Sequence, residues 1–243
     1  MASAGERAPT SGQGGTSLFA GGCRPFDCRV DVPGWRIYVA QLAFNEGRDL
    51  GNVMEVAVEG SLDWLARRRP DGSSDAADTM HLIRGALGPL GIDLARVRPS
   101  SELLCDRLAT APATARGGLA WQFLCVLVAR SAAPWSVLDR KALSPPLVLR
   151  IGEDQESLPH DGGRMRCGDL PVLADQAAVR ASPWTLESAE RLDACTEPVF
   201  VCYLPGDLMR RVDPKNHLGR LVWLTWAFTF AFARTYSCQA DQL

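Results

Sequence analysis

LVWLTWAFTFAFARTY, residues 221–236, sets Val222, Leu224, Trp226, Phe228, Phe230 and Phe232 at every second position. Thr225, Ala227, Thr229, Ala231 and Ala233 fill the places between. Bulky apolar side chains alternating with small ones at a period of two predict a β-strand with two unlike faces. At about 3.3 Å per residue the stretch would reach roughly 50 Å, well beyond the usual strand of five or six residues. Such an aromatic face has to be covered, by the chain's own helices or by a second molecule. Trp226, Phe228, Phe230 and Phe232, with Thr225 and Thr229 opposite, are therefore the candidate interaction residues.

Upstream of this strand, residues 199–204 (VFVCYL) read as a continuous apolar strand and residues 147–151 (LVLRI) as a shorter one. Near the start, Phe26, Cys28, Val30 and Val32 alternate with Asp27, Arg29 and Asp31, which marks a half-buried strand. Pro33-Gly34 suits the centre of a type II turn, and WRIYVAQLAF follows as a second strand, so residues 26–44 read as a hairpin. Type II is not the favoured two-residue hairpin turn, which leaves a longer or bulged connection open.

Helical periodicity fills the middle. Leu50, Val53, Met54, Ala57, Leu62 and Leu65 share one face of a helix capped by Asp49 and reaching about Arg68. A second helix starts at Ser74 or Asp75 and runs through Met80, Ile83 and Leu87; Ser100 caps a third carrying Leu103, Leu104 and Leu108. Residues 117–131 are apolar nearly all round; their length favours a buried helix, although WQFLCVLV would also serve as a central strand. Ser182-Pro183 marks another helix start, extending to about Ala194. The whole predicts one α+β domain over residues 25–243, with a mostly antiparallel sheet and helices packed on one face. Residues 1–24, rich in Gly, Ser, Thr, Ala and Pro, read as a disordered tail.

The net charge of −2 provides no global basic field for nucleic acid or an anionic membrane. No secretory signal is visible, and the longest uncharged apolar stretch, 221–233, is too short for a membrane helix. Eight scattered cysteines, several inside apolar runs, fit a reduced intracellular compartment, cytoplasmic or nuclear.

Residues 152–169 read as a polar loop that gathers His160, Asp161, Arg164, Arg166, Cys167 and Asp169. A thiol near arginines can have a lowered pKa and a histidine can act as its base, so Cys167 and His160 form a candidate catalytic pair. Solvation of a surface loop accounts for the same composition. His160 and Cys167 are seven residues apart, as are Cys195 and Cys202, but no close-spaced ligand pair of the zinc-knuckle kind exists, so no metal is expected. No phosphate-cradling glycine motif and no nucleophile elbow occurs, so no cofactor is expected. Arg67, Arg68 and Arg69 at a helix end, with Arg210 and Arg211, could form a basic patch for RNA; helix capping explains them as well.

These features point to a non-enzymatic adaptor or self-assembling structural protein of an intracellular complex, cellular or viral, a homo-oligomer or the binder of a protein partner. The alternatives are a small enzyme using Cys167 and His160, and an arginine-mediated RNA-binding protein.

Overall fold

A computed structural model describes residues 27–43, 50–68, 75–85, 92, 97–160, 163–206, 208, 212–216 and 232–239. The strands are β1 (Cys28–Val30), β2 (Trp35–Ala43), β3 (Trp135–Asp139), β4 (Leu147–Ile151), β5 (Ser157–His160), β6 (Gly163–Arg166), β7 (Pro171–Ala174), β8 (Val179–Ala181), β9 (Pro198–Pro205) and β10 (Phe232–Gln239). The helices are α1 (Leu50–Arg68), α2 (Asp75–Gly85), α3 (Ser100–Thr110), α4 (Leu119–Ser131) and α5 (Ala189–Asp193). The class is α+β, and among the described strand pairs only β1–β4 is parallel.

Pro33-Gly34 does turn the chain. Gly34 has φ +74°, as the third position of a type II turn requires, and the Trp35 amide donates to the Val32 carbonyl at 3.2 Å. The turn does not close the expected hairpin, however. β1 pairs with β4, while β2 lies between β9 and β10, so the turn carries the chain from one sheet into another. A turn of this type splays its flanking strands, which suits a change of sheet. The single sheet expected is accordingly two, ordered β1-β4-β7-β8 and β10-β2-β9-β3, with β5 and β6 as a separate hairpin.

Strand register explains the layering. Tyr38, Cys202 and Trp135 stand in one row across β2, β9 and β3, and Ala40, Phe200 and Val137 in the next. This face meets α4: Phe200 lies 6.0 Å from Phe123, and Trp135 Nε1 donates to Ser131 Oγ at 3.1 Å. The opposite face carries Trp35, Ile37, Val39, Val201 and Tyr203. There Trp35 meets Trp184 edge-on at 6.4 Å. Leu147, Leu149 and Leu173 of the other sheet belong to the same continuous core. β2 and β9 are thus buried on both faces, which is why VFVCYL carries no polar alternation.

The helix within 117–131 is realised as α4. It is buried from Phe123 to Ala129 because α1 and α3 cover the side turned away from the sheet. Its start is fixed by the Gly118 amide, which donates to Asp193 Oδ1 at 2.5 Å, and its end by Ala132 at φ +54°. Arg130 ties it to α1, donating to Gly60 O at 2.9 Å and Ser61 Oγ at 3.1 Å while its guanidinium sits 5.5 Å over Trp64.

Two helix expectations need correction. Ser100 is the first residue of α3 rather than its cap, and its amide donates to Pro183 O at 2.9 Å. The helix expected over 182–194 is only α5; Ser182 Oγ bonds to Pro171 O at 2.8 Å, away from its own helix direction. Ser188 takes the capping role instead, accepting from the Arg191 amide at 3.4 Å. Of the strand expected over 221–236, residues 221–231 lie outside the described ones, and the rest falls in β10, paired with β2 from Phe232↔Ala43 to Gln239↔Arg36. The Asp49 cap and the tail over 1–24 lie outside the described residues. No described helix is long and apolar enough to cross a membrane.

Candidate functional site

Residues 152–169, expected as a loop, contain the β5–β6 hairpin. Asp161-Gly162 is a two-residue hairpin signal that explains it, although those two residues lie outside the described ones. The hairpin base is locked by Arg150, whose guanidinium donates to both oxygens of Glu156 at 2.8 and 2.6 Å. That pairing holds the Glu156 carboxyl below the usual carboxylate range, helped by the Glu153 amide at 2.7 Å. Gly152 packs directly on the far end of β6, where an added Cβ would stand 2.2 Å from the Cys167 carbonyl oxygen. Gly152→Ala must therefore move backbone, and a loss of about 1–3 kcal/mol is expected in urea unfolding. A neutral result would show that the two segments separate freely.

The structure does not bring Cys167 and His160 together. The Cys167 amide donates to Glu156 O, whereas His160 sits at the other end of β5 opposite Gly163. Four residue steps along a strand separate them, roughly 13 Å. Cys167 is fully buried among Leu158 and Val172, and its thiol donates to Met165 O at 3.5 Å. Burial pushes that thiol up, so it stays protonated, the opposite of a nucleophile's requirement.

Other groupings fare similarly. Cys202 is sealed inside β9, and Cys195 donates to Leu138 O at 3.7 Å. Among the described residues no cluster of three or more potential ligands could hold a metal ion. Arg67 is exposed and paired with Asp63 at 3.2 Å. Arg68 ends α1 with its side chain outside the described ones, and Arg69, Arg210 and Arg211 are not described. Trp226, Phe228, Phe230, Thr225 and Thr229 also lie outside the described residues, while Phe232 opens β10.

The site that sequence reading passed over is the segment 182–188. It is neither helix nor strand, yet residues 182–187 are all buried. Irregular backbone in a core must satisfy its polar groups locally. Thr185 Oγ1 accepts from the Ser182 amide and donates to the Ser182 carbonyl, both at 3.1 Å. The Leu186 amide donates to Nδ1 of His160 at 3.2 Å, which is where the hairpin meets the segment. Glu187, with its side chain 5% exposed, pairs with Arg191 at 2.9 Å. Burial outweighs that pairing and pushes the Glu187 carboxyl up to about 7. Beneath it, Tyr203 donates to Ser136 Oγ at 3.2 Å in full burial. The available signal was Glu187 with Arg191 four residues on, a helical ion-pair spacing, and it was absorbed into a helix that exists only as α5.

The arrangement supplies a buried acid that titrates near neutrality and a histidine used as a hydrogen-bond acceptor. Compared with known proteins, the chain matches no protein-family model and no curated relative.

Proposed function

We propose that this protein is a non-enzymatic assembly component that pairs with a second copy of itself through β10. One observation carries the reading. β10 stands at the end of the β10-β2-β9-β3 order, with eight residues laddered to β2 and no strand on its outer side among the described residues. An extended edge presents a row of backbone donors and acceptors that templates another strand. Antiparallel pairing about a two-fold axis makes such an edge self-complementary, so a second copy fits without any further surface. The opposite edge, β3, is buried from Trp135 to Leu138 and offers no equivalent opening. An intracellular setting goes with this reading, because five of the described cysteines form no disulfide. The disulfide at Cys28 runs against it.

Consecutive residues of a strand direct their backbone groups to opposite neighbours. Of Thr235→Pro and Tyr236→Pro, one therefore removes an amide that points outward and the other an amide bonded to β2. Light scattering is expected to give a dimer for the wild type. One variant should be a folded monomer and the other should lose thermal stability. A wild-type monomer at micromolar concentration, or two folded dimeric variants, would overturn the reading.

A further inference from the structure

We propose that His160 is a proton-sensitive latch on the segment 182–188, of which 182–187 are buried, and that Glu187 is its counterweight. The latch follows from the direction of one bond. Nδ1 of His160 accepts from the Leu186 amide at 3.2 Å, which requires that nitrogen to be unprotonated. Free imidazole gains its proton near pH 6.5. Once Nδ1 carries hydrogen, two donors face each other and the Leu186 amide, on a residue 5% exposed, has lost its acceptor.

The two ends of the segment are held differently. Its start is fixed by bonds indifferent to pH, Ser182 Oγ to Pro171 O and the Ser100 amide to Pro183 O. Its end meets His160 and the Glu187–Arg191 pair, ahead of the Ser188 cap on the Arg191 amide. Charged groups around the latch are largely committed elsewhere. From β6, Arg164 donates to Ser157 O and Oγ at 2.8 Å, and Arg166 lies opposite Ser157. From β8, Arg180 is bound to Asp175 at 2.8 Å.

Glu187 acts in the opposite sense. Its carboxyl is pushed up to about 7 in the buried position, against an ordinary value of 4.5. Acid therefore favours the closed segment through Glu187 while disfavouring it through His160. Between about pH 6.5 and 5 the two responses offset each other, so the segment stays closed while the proton load changes.

Hydrogen exchange of peptides spanning 182–188, corrected for intrinsic rate, tests both halves. Glu187→Gln removes the counterweight, and protection is expected to fall about tenfold per pH unit below 6.5. Wild type and Glu187→Gln/His160→Asn should each stay within threefold from pH 7 to 5.5, since Asn offers a non-titrating acceptor in place of Nδ1. A flat Glu187→Gln profile, or an equally steep double variant, overturns the latch. A wild type as steep as Glu187→Gln overturns the counterweight. Should the double variant fail to fold, ring ¹⁵N shifts of His160 in Glu187→Gln decide: protonated Nδ1 at pH 8 refutes the latch, and unprotonated Nδ1 with a steep exchange profile supports it.

Discussion

Glu187→Gln is expected to be more stable than the wild type at pH 8 and nearly equal to it at pH 4. The buried carboxyl binds its proton at about pH 7 in the folded chain, while 4.5 is the ordinary value it regains on unfolding. Between those values the folded state holds more protons than the unfolded one, so stability falls as pH rises through the window. A shift of about 2.5 units corresponds to roughly 3 kcal/mol, complete above pH 7. Desolvation of the charge is the cause, and the Arg191 pair recovers only part of it. Glutamine keeps the shape and can still accept from Arg191, but carries no charge to desolvate. Urea unfolding at unit steps from pH 4 to 8 gives the comparison. A difference that does not change with pH would mean that Glu187 ionises freely where it stands.

What the sequence could convey divides along the range of the interactions. β9, β4 and α4 were legible because each declares itself within its own residues: predominantly apolar runs of strand or helix length. Pro33-Gly34 was legible as a turn for the same reason. Its consequence was not, since β1 finds its partner in β4 more than a hundred residues later and β2 finds its own in β9 and β10. No local pattern encodes that choice. The β5–β6 hairpin hid behind its charge: GRMR alternates no apolar residues, and only Leu158 and Met165 pack inward. Segment 182–188 departs from the expected helix although Ser-Pro is a true helix-start signal in isolation. Here the Ser182 hydroxyl is taken by Pro171 O, and Trp184 is drawn against Trp35 instead. The candidate pair Cys167 and His160 rests on closeness in sequence; on this hairpin His160 stands at the turn end of β5 and Cys167 at the base beyond β6.

Reduction of the chain is expected to cost at least about 2 kcal/mol of stability, and the size of the loss identifies the bond. Cys28 is disulfide-bonded, while Cys105, Cys125, Cys167, Cys195 and Cys202 form no disulfide. Cys23 and Cys238 are the two remaining cysteines of the sequence, and each gives its own expectation for the closure. The two closures differ greatly in the unfolded-chain entropy they remove. A loop of about six residues to Cys23 is worth roughly 2 kcal/mol, and one of about 210 residues to Cys238 roughly 5 kcal/mol. Only the long closure would restrain β10 when the fold opens, and β1 packs beside that strand. It would therefore couple reduction to the edge through which association is proposed. Guanidinium unfolding with and without reductant measures the loss, and non-reducing peptide mapping names the partner independently. A drop near 5 kcal/mol with no change in oligomeric state would separate the bond from assembly. No drop at all would mean that the bond does not form in solution, and the case for a reducing compartment would then stand on all six of these cysteines.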